Sequence, residues 1–399
     1  MTPKRSISTN VNISQLKTIQ QNFVKELKAA NAGKKTSLPF IIHKLSSLPI
    51  VKDGEVFQAL VIGGSIFKRA LCRKVKDRIS ILKKETEKPL SFKTENEFLR
   101  FIEREMYSDV NVLTLNFAYP LKPVFEKGKL DGILLAVTKE GGFHGLVGKQ
   151  IGKEIERYIL AKRNKKIKVA VANDTVCLLT SGLSKFKKEN LAAGIVGTGF
   201  NIAFFISRDE LVNLESANFD KFPRSQEGRI IDKQSAKPGK SLFEKETAGA
   251  YLYKHFNLII KEKKIKYPQI SSTEELDRIS RKKIPQVSEI AKNLITRSAQ
   301  LVACQIAGIA EFKQIRHSGE PRFDRGDSRI PKGNKRFWTS QNDEKTRGII
   351  FNMEGSLFWN ANNYKETVEQ TVKKLILEYS VKFVEIENSA ILGAAKLVA

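Results

Sequence analysis

The chain has 399 residues, of which 41% are hydrophobic, so it can bury a large core and we expect two domains rather than one. The net charge of +27 comes from 70 basic and 43 acidic residues, but the lysines are scattered without interleaved aromatic rings, which argues against a nucleic-acid-binding groove. The cysteines (Cys72, Cys177 and Cys304) and the histidines lack paired spacing, which argues against a disulfide framework or a zinc site and predicts buried free thiols.

The first part of the chain predicts a helix followed by strands. Apolar residues recur at helical spacing from Ile13 to Leu27, and the pattern ends at Gly33. The run FQALVIGG, Phe57–Gly64, predicts a strand that closes on a tight turn into another strand. More strands are predicted by VNVLTLNFAY, GILLAV and IKVAVA, and a helix by VGKQIGKEIERYIL.

The second part alternates strands, glycine turns and helices. AAGIVGTGFNIAFFI predicts two strands around a turn, and LITRSAQLVACQIAGIAEF predicts a long helix with an alanine-rich face. Residues 316–347 are rich in Gly, Pro and charge, and predict a long exposed loop. Beyond this loop, GIIFNMEGSLFW predicts a hairpin. A helix with Val368, Val372, Leu375 and Tyr379 on one stripe, the strand VKFVEI and a closing helix are predicted to follow.

Glycine turns with a neighbouring hydroxyl follow three of these strands. Glycine lets backbone N–H groups approach an anion, and a hydroxyl can donate to a phosphate oxygen, although single turns of this kind are common in hairpins. The turns are Gly63-Gly64-Ser65, Gly197-Thr198-Gly199 and Gly355-Ser356. Strands with glycine turns, followed by helices, recur in each half and predict two α/β domains with a cleft between them.

The pair Asn173-Asp174 follows the apolar run IKVAVA directly. On these residues alone, the pair is compatible with a turn or a helix cap. It is also compatible with a base held at a strand end over a substrate.

These segments together resemble the eukaryotic-type hexokinase family of the actin-like ATPase superfamily. The resemblance runs from the first helix nearly to the last residue and rests on an ordered set of motifs. In chain order these are ALVIGGSIFK, NFAYP, VTKEGGF, ANDTV, VGTGFN, VNLESANF, KPGKSLFEK, MEGSLF and LGAAKLVA.

The resemblance implies two actin-like (ribonuclease H-like) α/β lobes with a sugar and ATP cleft between them. Residues 1–54 would form an entry segment of the large lobe, 55–174 the small lobe, 175–380 the large lobe, and 381–399 a return to the small lobe. The lobes would close around the sugar.

The resemblance also implies roles for single residues. Asp174 would be the general base that takes the proton from the sugar 6-hydroxyl as it attacks the γ-phosphoryl group of ATP. The sugar would be bound by Thr138, Lys139, Asn173, Asn201, Glu215 and Glu244. Phosphates would be held by Gly63, Gly64, Ser65, Gly197, Thr198, Gly199, Gly355 and Ser356. Mg²⁺ would accompany ATP, with no protein ligand assigned to it.

The chain departs from the family pattern mainly on the nucleotide side. Val61 stands where the family has an aspartate before the first glycine pair, so Glu354 or Glu387 is expected to replace that carboxylate in part, or the enzyme to be slow. Ala118 replaces a serine of the sugar segment. Ser65 and Ile66 stand where the family has a threonine and an asparagine. The terminal turn, Ala390–Ala395, also differs from the family's adenosine turn.

Two functions remain open at this stage. One is an ATP-dependent hexose kinase of glycolysis that phosphorylates a sugar such as glucose. The other is a sugar-binding regulatory protein derived from a kinase, with weak or no catalysis. In either case we expect a cytoplasmic monomer or homodimer without a membrane segment, and the charge pattern argues against nucleic acid as a partner.

Overall fold

A computed structural model describes residues 12–63, 66–88, 92–136, 142–317, 348–377 and 379–399. The strands in these ranges are β1 (Ile41–Lys44), β2 (Val56–Ile62), β3 (Phe67–Val75), β4 (Arg78–Glu87), β5 (Val112–Phe117), β6 (Leu121–Glu126), β7 (Lys129–Leu134), β8 (Lys168–Ala172), β9 (Leu191–Val196), β10 (Phe200–Phe205), β11 (Glu210–Asn213), β12 (Gly348–Glu354) and β13 (Ser380–Val384). The helices are α1 (Ile13–Asn31), α2 (Glu95–Glu105), α3 (Ile151–Arg163), α4 (Asp174–Ser181), α5 (Gln226–Lys233), α6 (Glu244–Thr247), α7 (Gly249–Glu262), α8 (Thr273–Ser280), α9 (Val287–His317), α10 (Ser356–Asn360), α11 (Tyr364–Leu375) and α12 (Ser389–Ala395).

A five-stranded sheet, the small sheet, is built from the first half of the chain. Its order is β4-β3-β2-β5-β8, with β2, β5 and β8 parallel to one another. Side chains alternate along β2, so that Leu60 and Ile62 pack towards α2 and α3, while Ala59 and Val61 face the opposite side. One edge of the sheet therefore carries the carboxyl ends of three parallel strands.

A six-stranded sheet, the large sheet, has the order β1-β11-β10-β9-β12-β13. Strand β12 is parallel to both β9 and β13, and the remaining pairs are antiparallel. One face packs on the long helix α9 together with α1, α7 and α11, in a core that includes Phe204 and Phe351. The opposite face carries Ala193, Ala203 and Phe205.

Helices α4 and α12 lie between the two sheets. The apolar cluster around them combines Ala170 and Ala172 of the small sheet with Ala193 and Ala203 of the large sheet. The two helices approach so closely that the side-chain oxygen of Thr180 donates a hydrogen bond to the carbonyl of Gly393, 2.9 Å away. This helix pair joins the small sheet to the large one.

Most predicted elements are confirmed, including the α/β class, the strand pairs around the first two glycine turns and the three buried free cysteines. The hairpin expected in GIIFNMEGSLFW is wrong, because β12 is followed by helix α10 and pairs with β9 and β13 instead. Arg316 and His317 still belong to α9, and the rest of the predicted loop, 318–347, lies outside the described residues. Tyr379 lies beyond the end of α11. The lobe boundaries stay a prediction.

The contact between α4 and α12 gives a first testable prediction. A Cβ atom added at Gly393 would lie 1.8 Å from the backbone oxygen of Cys177, so Gly393→Ala must push the two helices apart. We expect a stability loss of about 3 kcal/mol or more, seen as a lower melting temperature. The control is Gly308→Ala in α9, whose methyl group meets only the side chains of Phe23 and Val24 and should cost less. Equal melting temperatures for the two variants would contradict this packing.

Candidate functional site

The candidate site begins where the parallel strands of the small sheet end. Val61 of β2, Asn116 of β5 and Ala172 of β8 lie side by side in register. Asn173 and Asp174 follow β8 immediately, and Gly63 follows β2. Parallel pairing thus brings segments that are distant in sequence to one sheet edge.

Asn173 and Asp174 have different local positions at the start of α4. Asn173 is the helix cap, because its side-chain oxygen accepts a hydrogen bond of 3.0 Å from the backbone N–H of Val176. Asp174 is the first helical residue, and its Oδ1 accepts hydrogen bonds from the backbone N–H of Thr175 (2.7 Å) and from the Thr175 hydroxyl (3.2 Å). Thr175 therefore fixes the orientation of the Asp174 carboxylate.

A network of amides connects Asp174 to Glu215 on the large sheet. The side-chain nitrogen of Asn201 lies 3.1 Å from the Thr175 hydroxyl, 2.8 Å from the Asn213 oxygen and 3.4 Å from Glu215 Oε1. Asn213 also donates to Glu215 Oε1, over 2.7 Å. The oxygen of Asn201 accepts from the backbone N–H groups of Ile202 and Ser216. These bonds determine how the Glu215 carboxylate is oriented.

Glu244, at the start of α6, belongs to the same region. Its Oε2 accepts a hydrogen bond of 3.0 Å from the backbone N–H of Phe200, directly after the second glycine turn. A Cβ atom at Gly199 would lie 3.0 Å from this oxygen. The carboxylate thus depends on a glycine for its close approach to the turn.

The acidic groups of this region share an electrostatic environment. Burial raises the pKa of the half-buried Asp174, Glu215 and Glu244, and loss of hydration also raises the pKa of Glu354, although its side chain is exposed. The charge of Asp174 raises the pKa of Glu215 and Glu354 further, and Glu215 acts on Glu244 in the same way. Among the described residues, none of these four carboxylates forms an ion pair, although the charges of Lys245 and Lys68 act on Glu244 and Glu354. Such carboxylates are suited to a ligand that brings several hydroxyl donors.

Two of the glycine turns lie next to each other on the large sheet. Because β9 and β12 are parallel neighbours, Gly197 and Gly355 follow adjacent strand ends. Gly355 has φ +120°, and a Cβ atom there would lie 2.2 Å from the carbonyl oxygen of Val196. Thr198 and Ser356 are exposed beside these glycines. Only glycine fits at position 355, because the backbone of the neighbouring turn occupies the space that a side chain would need.

The first glycine turn is described only in part. The backbone N–H of Gly63 donates to the carbonyl of Ile66, 3.0 Å away, which closes the turn between β2 and β3. Gly64, Ser65, Thr138 and Lys139 lie outside the described residues, so their predicted roles stay predictions. The structure brings together the remaining predicted sugar residues, Asn173, Asn201, Glu215 and Glu244, with Asp174.

Sequence reasoning missed Thr175 and Asn213 as members of this network. Thr175 stands inside the ANDTV motif, and Asn213 inside VNLESANF, two residues before Glu215. Both are buried, and both contact Asn201. The amide side chain two residues before Glu215, inside the VNLESANF motif, was a signal that could have found Asn213.

The structure shows the surroundings of position 61, where valine stands in place of the aspartate expected from the resemblance. Val61 is buried in the apolar cluster around α4 and α12. Beside it, the Asn116 side chain donates to the carbonyl of Ala390 over 3.3 Å, while its buried oxygen has no hydrogen-bond partner among the residues that the structure describes. Glu354 accepts a hydrogen bond from Ser389, one residue away from Ala390.

Comparison with known proteins places this arrangement in a family. Models of the hexokinase family match residues 5–183 and, in two overlapping segments, residues 191–265 and 262–399. The chain belongs to the hexokinase family. The general activity that this membership supports is the phosphorylation of a sugar.

Proteins of known sequence or structure that resemble this chain align with most of its length. Hexokinase-1 of Spinacia oleracea is 24% identical and aligns with 97% of this chain and 88% of its own length. Hexokinase-1 of Saccharomyces cerevisiae is also 24% identical, over 75% of this chain and 76% of its own. The hexokinase from Schistosoma mansoni, solved in complex with glucose, has a TM-score of 0.74 at 19% identity and covers 98% of this chain and 96% of its own. The actin-like fold expected from the motifs is thereby confirmed.

Within the described ranges, no helix combines the length and the apolar character needed to cross a membrane.

The raised pKa of Glu215 gives a stability prediction. A carboxyl whose pKa is higher in the folded chain favours the folded state at acid pH, and this contribution disappears as the pH rises through the folded-state pKa. Glu215→Gln keeps the acceptor oxygen but removes the charge. We therefore expect it to melt roughly 1 to 3 °C above the parent at pH 7.5, with the difference shrinking towards pH 4.

Glu246 provides a control of the opposite sign. Burial alone would raise its pKa, but Arg297, 2.7 Å away, holds the pKa below its ordinary value. Glu246→Gln should therefore lower the melting temperature at pH 7.5, and this loss should diminish as the pH falls. Equal changes of melting temperature in both variants across the pH series would contradict the opposite pKa shifts of Glu215 and Glu246.

Proposed function

We propose that this chain transfers the γ-phosphoryl group of ATP to the 6-hydroxyl of a hexose such as glucose, with Asp174 as general base and closure of two lobes. The observation that carries the proposal is the link between Asp174 and Glu215 through Thr175 and Asn201. This link joins a carboxylate at the end of the small sheet to acids and amides on the large sheet. Such groups are suited to bind the hydroxyls of a sugar.

The proposed base is suited to its task by burial and orientation. Burial raises the pKa of Asp174, which increases the affinity of this carboxylate for a proton. Two hydrogen bonds from Thr175 hold one of its oxygens and so restrict rotation of the group. A proton removed from the sugar 6-hydroxyl would be held on Asp174 while the oxygen attacks phosphorus.

In the proposed mechanism, the remaining polar groups bind and orient the sugar. Glu215 and Glu244 would accept hydrogen bonds from sugar hydroxyls, and Asn173 and Asn201 would complete the set together with Thr138 and Lys139. Pairing each hydroxyl offsets the cost of removing it from water. Lobe closure around the sugar would then exclude the water that competes for the phosphoryl group.

The nucleotide would contact the glycine turns of both sheets. The turns at Gly197–Gly199 and Gly355–Ser356 pack against each other, and the exposed hydroxyls of Thr198 and Ser356 beside them would donate to phosphate oxygens. Among the described residues, no group of three or more His, Cys, Asp or Glu could bind a metal ion. Mg²⁺ in such sites is bound by phosphates, waters and one or two carboxylates. Glu354 beside Asp174 and the unpaired oxygen of Asn116 fit that requirement. When bound, Mg²⁺ supplies neutralisation of the charge on the phosphoryl group.

Glu354 is the better candidate to replace the missing carboxylate at position 61. Asp174 and Lys68 both act on Glu354 electrostatically, and Lys68 is the cross-strand partner of Val61. The carboxylates of Glu354 and Glu387 are both exposed, but the hydrogen bond that Glu387 accepts comes from its own neighbour, Asn388. We therefore propose that Glu354, rather than Glu387, acts on the metal side.

The second candidate function is a sugar-binding regulatory protein with weak catalysis. The observation that favours it is the buried apolar Val61 at the metal side of the site. A coupled assay for ADP release over a panel of hexoses separates the two functions. The kinase proposal requires ADP release that depends on the sugar, with sugar phosphate as a product.

Asp174→Asn tests the general base. The carboxamide keeps the shape of the side chain but cannot accept the proton, so kcat should fall by about two to four orders of magnitude while sugar affinity changes little. Steady-state kinetics and calorimetric titration with glucose measure the two quantities. Asp109→Asn, at an exposed aspartate, is the control and should behave as the parent. Turnover of Asp174→Asn at the parent rate would show that Asp174 is not the base.

Val61→Asp tests the missing carboxylate. A carboxylate beside Asn116 should improve positioning of the metal, so we expect a higher kcat and tighter binding of Mn²⁺ with ATP, measured by electron paramagnetic resonance. A melting curve reports whether the lost apolar contact unfolds the small sheet. If neither the parent nor a folded Val61→Asp protein makes sugar phosphate while both bind sugar, the regulatory function replaces the kinase proposal.

A further inference from the structure

A cavity of about 420 Å³ lies away from the candidate active site. Its walls come from the connector after β1, the β3–β4 turn, the segment that follows α4 and the chain after α12. Asp174 stands at the beginning of α4, whereas the cavity lies beyond the opposite ends of α4 and α12. The volume is in the range of small-molecule sites, which is about 300 to 1,000 Å³.

The walls of this cavity are strongly basic. Five lysines line it against two acidic side chains, Asp77 and Glu189, and the last residue, Ala399, also borders it. Lys74, Lys188 and Lys396 are half-buried. The stems of these lysines are thus partly covered, while their ammonium groups stay within reach of solvent and of a ligand in the cavity.

Backbone carbonyls hold these three ammonium groups in place. Lys396 donates to the carbonyl of Asp77 (2.9 Å), Lys188 to that of Arg208 (3.0 Å) and Lys74 to that of Lys76 (2.7 Å). Carbonyl oxygens orient an ammonium group without neutralising it. For these three lysines, the described part of the chain shows no carboxylate within ion-pair distance.

The charges of Lys74 and Lys188 also act on Lys396. Burial lowers the pKa of Lys396, the carboxylate of Asp77 opposes this effect, and the charges of Lys74 and Lys188 lower the pKa further. Mutual repulsion of this kind costs free energy that a bound anion would remove. Lys188 also lies over the ring of Phe205, 5.8 Å from its centre, which gives the basic wall an apolar backing.

We propose that this cavity is a second binding site, which takes a small phosphate ester or diphosphate through Lys74, Lys188 and Lys396. A phosphate group offers several strong acceptor oxygens and at least one negative charge, which matches the ammonium donors of three lysines that line one cavity. The cavity is larger than a single phosphate ion needs, so the ligand carries an organic part or a second phosphate. The proposal is independent of the proposed catalysis, because none of these lysines belongs to the candidate active site.

Lysine footprinting tests the location of the site directly. The whole chain is acylated with and without inorganic pyrophosphate, and the modified peptides are identified by mass spectrometry. We expect pyrophosphate to protect Lys74, Lys188 and Lys396, while the exposed lysines Lys261 of α7 and Lys263 directly after it react equally in both samples. Footprinting separates this site from the glycine turns, since pyrophosphate bound only there would leave the three lysines reactive. That outcome would overturn the proposal.

Calorimetric titration with pyrophosphate tests the contribution of the charges. The double variant Lys188→Gln with Lys396→Gln should bind at least tenfold more weakly than the parent, whereas Lys261→Gln with Lys263→Gln should bind equally. Pyrophosphate bound at the glycine turns contributes equally in the parent and in both double variants, so a loss of affinity confined to Lys188→Gln with Lys396→Gln reports the lysine cavity. The affinity should also fall as the salt concentration rises from 0.01 M to 0.15 M, because the screening length shortens from about 30 to about 8 Å.

Folding of the variants is controlled independently. The double variant removes the hydrogen bond of Lys396 to Asp77, so its melting curve is compared with that of the parent. If it unfolds, Lys188→Gln alone replaces it, and the footprint of the parent still decides the location. Equal affinity in the parent and in a folded lysine variant would contradict the site.

Discussion

The rest of the structure depends on the close backbone contact between α4 and α12. Gly393 lies against the carbonyl of Cys177, and its own carbonyl accepts a hydrogen bond from Thr180. The pair is packed between the two sheets, so it determines how the carboxyl edge of the small sheet faces the large sheet. Asp174 begins one helix of this pair, and Ser389, which contacts Glu354, begins the other.

The candidate site collects acids without neutralising them. Asp174, Glu215 and Glu244 are oriented by hydrogen bonds from Thr175, from Asn201 and Asn213, and from a backbone N–H group, none of which carries a charge. Glu246, by contrast, is neutralised by an ion pair with Arg297. Carboxylates that are not neutralised lower the stability of the folded chain, but they leave hydrogen-bond acceptors free for a polar ligand. Functional sites often show this loss of stability.

The same helix pair separates two surfaces of different charge. At its beginning lie the acids of the candidate active site, and beyond its end lies the cavity lined by Lys74, Lys188 and Lys396. The net charge of +27 suggested only a diffusely basic surface. Folding concentrates part of that charge, because the β3–β4 turn, the segment after α4 and the chain after α12 meet at one place.

Local sequence determined the elements and most of the candidate residues. Runs of β-branched residues, helical spacing and glycine turns were enough to find β2, β8, β9, β10 and the long helix α9, and the ordered motifs pointed to Asp174, Asn201, Glu215 and Glu244. Tertiary structure alone decided that GIIFNMEGSLFW is a strand followed by a helix, because β12 pairs in parallel with strands far away in the chain. It also decided that Thr175 and Asn213 meet at Asn201. Pairing and packing between distant segments leave no periodic trace in the local sequence, and only the folded chain brings these groups within hydrogen-bonding distance.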